Sequence, residues 1–162
     1  MKRLLILRHA KSSWADSSMD DWERPLNERG ERDAPKVGAW LRERESIPDV
    51  IVSSDAVRAI TTARAVADAA GYTREIITQP SLYHAKPHDV IEVLRNVADD
   101  AATVLVVGHN PGLEDLVRQL SGEYHGLPTA ALVDLEVPIE HWRDLDATAA
   151  TIVEVWYPRE RA

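Results

Sequence analysis

The sequence contains no cysteine, which excludes a disulfide framework, a thiolate nucleophile and any cysteine-ligated zinc site. Long apolar runs are missing as well. After Met1-Lys2-Arg3 only four apolar residues, Leu4 to Leu7, follow in succession, far short of a signal-peptide core or a membrane span. The expectation is a cytoplasmic protein without a membrane partner. No cluster of Lys and Arg offsets the formal net charge of −8, and phosphate backbones demand a basic footprint, so nucleic acid is not an expected partner. No repeat, low-complexity tract or linker interrupts the chain. Its 162 residues, 44% hydrophobic and 28% charged, suit one compact domain over residues 1–162 with a real core.

The charge is unevenly divided. Residues 1–80 carry 13 basic and 13 acidic side chains, whereas residues 81–162 carry 6 and 14. An acidic surface that maintains solubility accounts for most of this, and it leaves the arginines of the first half free to converge on a small anion.

Hydrophobic patterning predicts alternating strands and helices. Leu4–Leu7 reads as a strand buried on both faces that ends at Arg8-His9. Residues 10–25 are polar and loop-like. Asn27 caps a first helix whose buried face is Ala34, Val37, Trp40 and Leu41, with Pro35 predicting a kink or a late start. Val50–Val52 is a second strand, closed by Ser53-Ser54. Ala59, Ala63, Val66, Ala67 and Ala70 mark a second helix that ends at Gly71. Arg74–Thr78 reads as strand three, Pro87–Val97 as a helix, Thr103–Val107 as a strand and Leu113–Leu120 as a helix. Residues 121–129 form a loop. Ala130–Val137 and Thr151–Tyr157 are strands around a short segment containing Trp142. The class is α/β, a sandwich with a mainly parallel sheet. The last two strands lack a long helix between them, which predicts an antiparallel member.

In open α/β sheets ligands bind beyond the carboxyl ends of the strands. Those positions hold Arg8 and His9, Ser53 and Ser54 with Arg58 about one helical turn on, and Gly108 and His109. Each residue alone has a plain explanation: a solvated strand end, a turn before Asn110-Pro111-Gly112, or an Arg58–Asp55 pair on a helix surface. Together they aim two guanidiniums and two imidazoles at one crevice. Such a cluster repels itself unless an oxyanion sits within it, and arginine forks suit phosphoryl oxygens. One imidazole is then available as a nucleophile, and the arginines supply the charge a metal carries in other phosphoryl-transfer sites. No metal and no cofactor are required.

Leu7-Arg8-His9-Ala10-Lys11-Ser12, Ser53-Ser54-Asp55-Ala56-Val57-Arg58-Ala59 with Thr62-Ala63, and Val107-Gly108-His109-Asn110 resemble the histidine phosphatase superfamily, the phosphoglycerate-mutase-like fold. Pro25-Leu26-Asn27-Glu28-Arg29-Gly30 and the short chain make it most similar to the SixA-type branch of phosphohistidine phosphatases. The resemblance implies a three-layer α/β/α sandwich whose six-stranded sheet has one antiparallel strand. It also implies that His9 accepts the phosphoryl group and that Arg8, Arg58 and His109 bind its oxygens. The implied function is metal-independent removal of phosphate from protein phosphohistidine. A small-molecule phosphomonoesterase and a non-catalytic phosphoryl-binding module are the alternatives. Oligomeric state stays open.

The chain departs from the superfamily pattern in two places. Arg-His-Gly is Arg-His-Ala here, a change common in the SixA-like branch. Where many members carry an acid after the third strand, this chain has Leu82-Tyr83-His84-Ala85. Asp16, Asp20, Asp21 and Glu23 are conceivable substitutes, but acidic loop residues are usually solvated and none is assigned as the general acid. His84 and His88 stand four apart, but Pro87 intervenes and neither an HExxH motif nor a third ligand accompanies them. His125, a weak pocket-rim candidate, and His141 read as loop residues. Trp14 and Trp22 are candidates to frame a substrate entrance. Gly30 and Gly38 make no nucleotide-binding fingerprint, and Ser53-Ser54 lacks the GxSxG elbow.

Overall fold

A computed structural model describes residues 1–146 and 149–158. The sheet is built from β1 (Lys2–Arg8), β2 (Val50–Ser53), β3 (Ile76–Thr78), β4 (Thr103–Gly108), β5 (Leu132–Val137) and β6 (Thr151–Trp156). Their order across it is β3-β2-β4-β1-β5-β6. β1, β4, β2 and β3 pair in parallel, and β5 runs antiparallel to both β1 and β6. The mainly parallel α/β sheet with one antiparallel strand is therefore as expected.

Alternation along β1 explains its continuous apolar run. Leu4 and Ile6 join the core beneath α3 (Pro87–Arg95) and α4 (Gly112–Ser121), and Leu5 and Leu7 join the core beneath α1 (Glu28–Glu43) and α2 (Val57–Ala70). Two helical layers cover the two faces. α1 and α2 lie close enough that a Cβ on Gly38 would stand 2.4 Å from the Val66 carbonyl oxygen, so only glycine fits there. Among the described residues no helix is long and apolar enough to cross a membrane.

Several boundaries differ from the sequence reading. β3 is three residues long rather than five, because it is an edge strand with a single partner and its Ile77 and Thr78 are exposed. α1 runs without a break from Glu28 through Pro35, which is exposed, so the late start is not seen. α3 stops at Arg95, two residues early. β5 starts at Leu132 rather than at position 130, since Ala130 takes a φ of 62° that an extended strand does not allow. Trp40 is half-buried and stacks on Trp156 at 5.0 Å. Asn27 and Gly71 behave as predicted: the Asn27 side chain accepts from Gly30 N–H, and Gly71 closes α2 at a φ of 79°.

Register brings three strand ends together. Arg8 of β1 pairs with Gly108 of β4, and Ser53 of β2 pairs with Val107. The next residues continue the ladder: His9 N–H donates to the Gly108 carbonyl at 3.1 Å, and Ser54 N–H donates to the Val107 carbonyl at 3.0 Å.

Candidate active site

Beyond those strand ends lies a cavity of about 500 Å³ lined by Arg8, His9, Arg58 and His109, with Lys11, Trp14, Asp21, Arg24, His84, Lys86 and Asp115 among the surrounding residues. All four residues singled out at the strand ends meet there. The cavity walls carry five basic side chains against two acidic ones in a chain of net charge −8. Four of the five, Arg8, Lys11, Arg24 and Arg58, come from the first half of the chain.

His9 is buried, and its ring is fixed by the backbone that follows it. Nδ1 lies 2.8 Å from the Ala10 carbonyl oxygen, an arrangement in which Nδ1–H donates and the lone pair stays on Nε2. Ala10 is itself held: its N–H donates to Thr62 Oγ1 at 3.0 Å, and the Thr62 hydroxyl donates to the Arg58 carbonyl at 2.7 Å. The His9 pKa is lowered to about 4, by burial first, opposed by the Ala10 hydrogen bond and reinforced by Arg58, Arg8 and Arg24. The imidazole is neutral at pH 7. His109 stands 5.1 Å away, centroid to centroid, and burial, followed by the neighbouring His9 and Arg58, lowers its pKa to about 3.

The guanidiniums are anchored from behind. Arg8 Nη1 donates to the Leu127 carbonyl at 2.9 Å, and the Asn110 side-chain amide donates to the same oxygen at 2.9 Å. Arg58 does not pair with Asp55, whose carboxylate instead accepts from Trp22 Nε1 at 3.0 Å. Its partner is Asp21: Nη1 donates to the Asp21 carbonyl at 2.6 Å and Nη2 to Oδ2 at 2.9 Å. Among the described residues, the buried side-chain polar atoms left without a partner are Arg8 Nε, His109 Nδ1 and Asn110 Oδ1. All three residues line this cavity. Buried orphans of this kind are rare in folded proteins.

Asp21 and Tyr83 are the residues whose contribution the sequence reading passed over. Asp21 belongs to a one-turn 3-10 helix, Asp21–Glu23, inside the first loop. Its carboxylate accepts from the Tyr83 hydroxyl at 2.6 Å and from Arg24 Nη1 at 2.8 Å as well as from Arg58. The Tyr83 hydroxyl, and after it Arg24 and Arg58, hold the carboxyl well below the usual carboxylate range. Asp21 is therefore an ionised acceptor and a poor proton donor, and it is not the merely solvated loop residue its composition suggested. Asp16, Asp20 and Glu23 do not line the cavity.

The aromatic and histidine candidates divide. Trp14 lines the cavity with the Arg24 guanidinium 3.2 Å from its ring centroid, whereas Trp22 lies outside the lining. His84 reaches the cavity wall with its ring 3.9 Å from Tyr83. His88 is exposed in the first turn of α3 and faces Asp89 at 3.2 Å. No group of three or more metal-ligating side chains is found among the described residues. His125 and His141 lie outside the cavity lining, facing Glu123 and Asp99 respectively.

Comparison with known proteins adds a family. The family model for the histidine phosphatase superfamily, branch 1, matches residues 4–86, a span that includes Arg8, His9 and Arg58 but not His109. The uncharacterized protein Rv1276c of Mycobacterium tuberculosis is 35% identical over 165 residues, covering 94% of this chain and all of that one. Two solved structures, both assigned as phosphohistidine phosphatase SixA, are each 27% identical. The one from Agrobacterium tumefaciens has a TM-score of 0.83 and covers 97% of this chain and 98% of its own. The one from Nakamurella multipartitia has a TM-score of 0.84, with 97% and 96% coverage.

Proposed function

This chain belongs to the histidine phosphatase superfamily, and on that footing we propose that it is a metal-independent phosphatase that removes phosphate from protein phosphohistidine through a covalent phosphohistidine at His9. The observation that carries the reading is the tautomer of His9. With Nδ1–H held by the Ala10 carbonyl, a neutral Nε2 lone pair is present among guanidiniums that attract a phosphoryl group.

In the first step His9 Nε2 attacks phosphorus, the P–N bond to the substrate imidazole breaks, and the departing nitrogen takes a proton from solvent. Arg8, Arg58 and His109 stabilise the charge on the phosphoryl oxygens. In the second step water attacks the phosphorus of phospho-His9, the P–Nε2 bond breaks, and phosphate leaves as the water proton passes to solvent. The reading requires no cofactor, and it puts the enzyme in the cytoplasm with a phosphorylated protein as its partner.

The substrate preference follows from Asp21. A phosphate ester expels an alkoxide that needs an early proton, and a well-placed acid is worth about 10²–10⁴-fold. Asp21, which lines the cavity, is held ionised by its hydrogen bonds to Tyr83, Arg24 and Arg58. An imidazole leaving group is less demanding, since the unperturbed histidine pKa is about 6.5 and solvent can protonate it near neutrality. The names of the two SixA neighbours agree with this choice. The test compares kcat/KM for a phosphohistidine peptide, an aryl phosphate and a sugar phosphate at one pH. Values falling in that order support the proposal. A sugar phosphate that matches phosphohistidine overturns it in favour of a phosphomonoesterase, and phosphate binding without turnover of any substrate overturns it in favour of a binding module.

A further inference from the structure

A neutral imidazole has one N–H, and which nitrogen carries it decides what the ring can bind. The two nitrogens of His109 have different surroundings. Nε2 lies 2.8 Å from Ser54 Oγ, and Nδ1 is buried without a partner. The choice is settled by counting the hydrogens on Ser54. Its N–H donates to the Val107 carbonyl, its carbonyl accepts from the Ser53 hydroxyl at 2.8 Å, and its Oγ accepts from Ala56 N–H at 3.2 Å. Ser54 is fully buried, so its hydroxyl hydrogen needs a protein acceptor. His109 Nε2 is the acceptor within reach.

Two arrangements are possible in principle. If the Ser54 hydroxyl donates to Nε2, every polar group of Ser54 is satisfied, and the ring hydrogen sits on Nδ1 as one free N–H. If Nε2–H donates to Ser54 instead, a buried hydroxyl hydrogen and a buried Nδ1 lone pair are both left unpaired. The first arrangement leaves fewer unpaired groups, and its one unpaired group is a donor on a residue that lines the cavity. It matches Arg8 Nε, the other buried side-chain nitrogen without a partner among the described residues.

We propose that Ser54 is a positioning residue: its hydroxyl fixes His109 as the Nδ1–H tautomer, which leaves that N–H to donate to a phosphoryl oxygen. The tautomer claim stands on the hydrogen bonds alone, and only the donation to a phosphoryl oxygen rests on the phosphatase reading. The register of β2 against β4 puts Ser54 beside the strand that carries His109, so the ring and its orienting hydroxyl are fixed by the same ladder.

The test is a long-range ¹H–¹⁵N correlation spectrum of the full-length protein with ¹⁵N-labelled histidine, His109 being assigned by its absence in His109→Gln. Wild-type protein should show His109 with a protonated Nδ1 and an unprotonated Nε2 from pH 8 down to pH 5. Ser54→Ala should convert this to a tautomer mixture and lower kcat by about 10- to 100-fold, somewhat less than the 10²–10³ for outright loss of one oxyanion donor, with KM changed little. Ser54→Cys, close in size and a weaker donor, should fall between the two in both readouts and serves if the alanine variant does not fold. A wild-type His109 protonated on Nε2, or an unchanged Nδ1–H tautomer in both variants, overturns the proposal. A wild-type protein with the expected tautomer but no phosphatase activity removes the proposed function and leaves the Ser54–His109 assignment standing.

Discussion

Replacing Arg58 with lysine keeps the positive charge and removes the fork. Arg58 is 6% exposed, and it gives one hydrogen from each terminal nitrogen to Asp21, through Nη1 to the carbonyl and Nη2 to Oδ2. A guanidinium carries five N–H hydrogens, so three are left to meet a phosphoryl group while Asp21 is held. A lysine ammonium has its three donors on one nitrogen at the end of a flexible stem, and it cannot serve both partners in a fixed geometry. Loss of one oxyanion donor costs about 10²–10³ in kcat, roughly 2.7–4 kcal/mol. The retained charge recovers part of that, and the expected loss in Arg58→Lys is about 10²-fold. The charge is retained at a buried position and its partner Asp21 is partly exposed, so the loss of stability should be small beside the loss of rate. If Asp21 acts on rate by holding Arg58, Asp21→Ala slows the wild type but adds less than about threefold to Arg58→Lys, a coupling expected of residues in direct contact. The assay is kcat and KM for an aryl phosphate in the four proteins of the cycle, with a thermal melt of each. Near-native turnover in Arg58→Lys would refute the reasoning and return Arg58 to the role of a structural anchor for the first loop.

Further outcomes can be checked with the same protein. Because guanidiniums supply the charge at the phosphoryl site, activity should survive EDTA and fall with tungstate or vanadate; a loss restored by Mg²⁺ or Zn²⁺ would contradict this. Acid should destabilise the fold through His9 and His109, whose pKa values are lowered to about 4 and about 3 against about 6.5 when unfolded. Below pH 6.5 the unfolded chain binds more protons, so stability falls as pH drops from 6.5 toward 4. The melting temperature should therefore decline less between pH 7 and 4.5 in His9→Gln than in wild type, and equal slopes would count against a buried neutral His9.

The buried strands were legible because burial on both faces leaves a continuous apolar run, as in Leu4–Leu7 and Val104–Val107. β3 was overestimated since an edge strand with exposed residues has no such run. The cluster of Arg8, His9, Arg58 and His109 was legible for a topological reason: strand ends in a parallel sheet share one side, so residues distant in sequence meet there. Asp21 and Tyr83 were not legible as partners. They lie 62 positions apart, on two loops whose paths follow no periodicity. Asp21 is aimed by a single 3-10 turn and by the Ser12–Leu26 bridge that folds the first loop back on itself. Composition alone marked that loop as polar and solvated. The orienting role of Ser54 was hidden differently: the residue was noted at a strand end, but the hydroxyl's direction depends on the Ala56 N–H at the start of α2.

The nucleophile itself can be trapped. Wild-type protein exposed briefly to ³²P-labelled substrate and quenched in alkali should carry label that is stable to base, lost in acid and confined to the peptide containing His9. His9→Ala, shown to be folded by its melting curve, should acquire no label and turn over no substrate. Label on any other residue, or turnover by folded His9→Ala at the wild-type rate, would contradict covalent catalysis through His9.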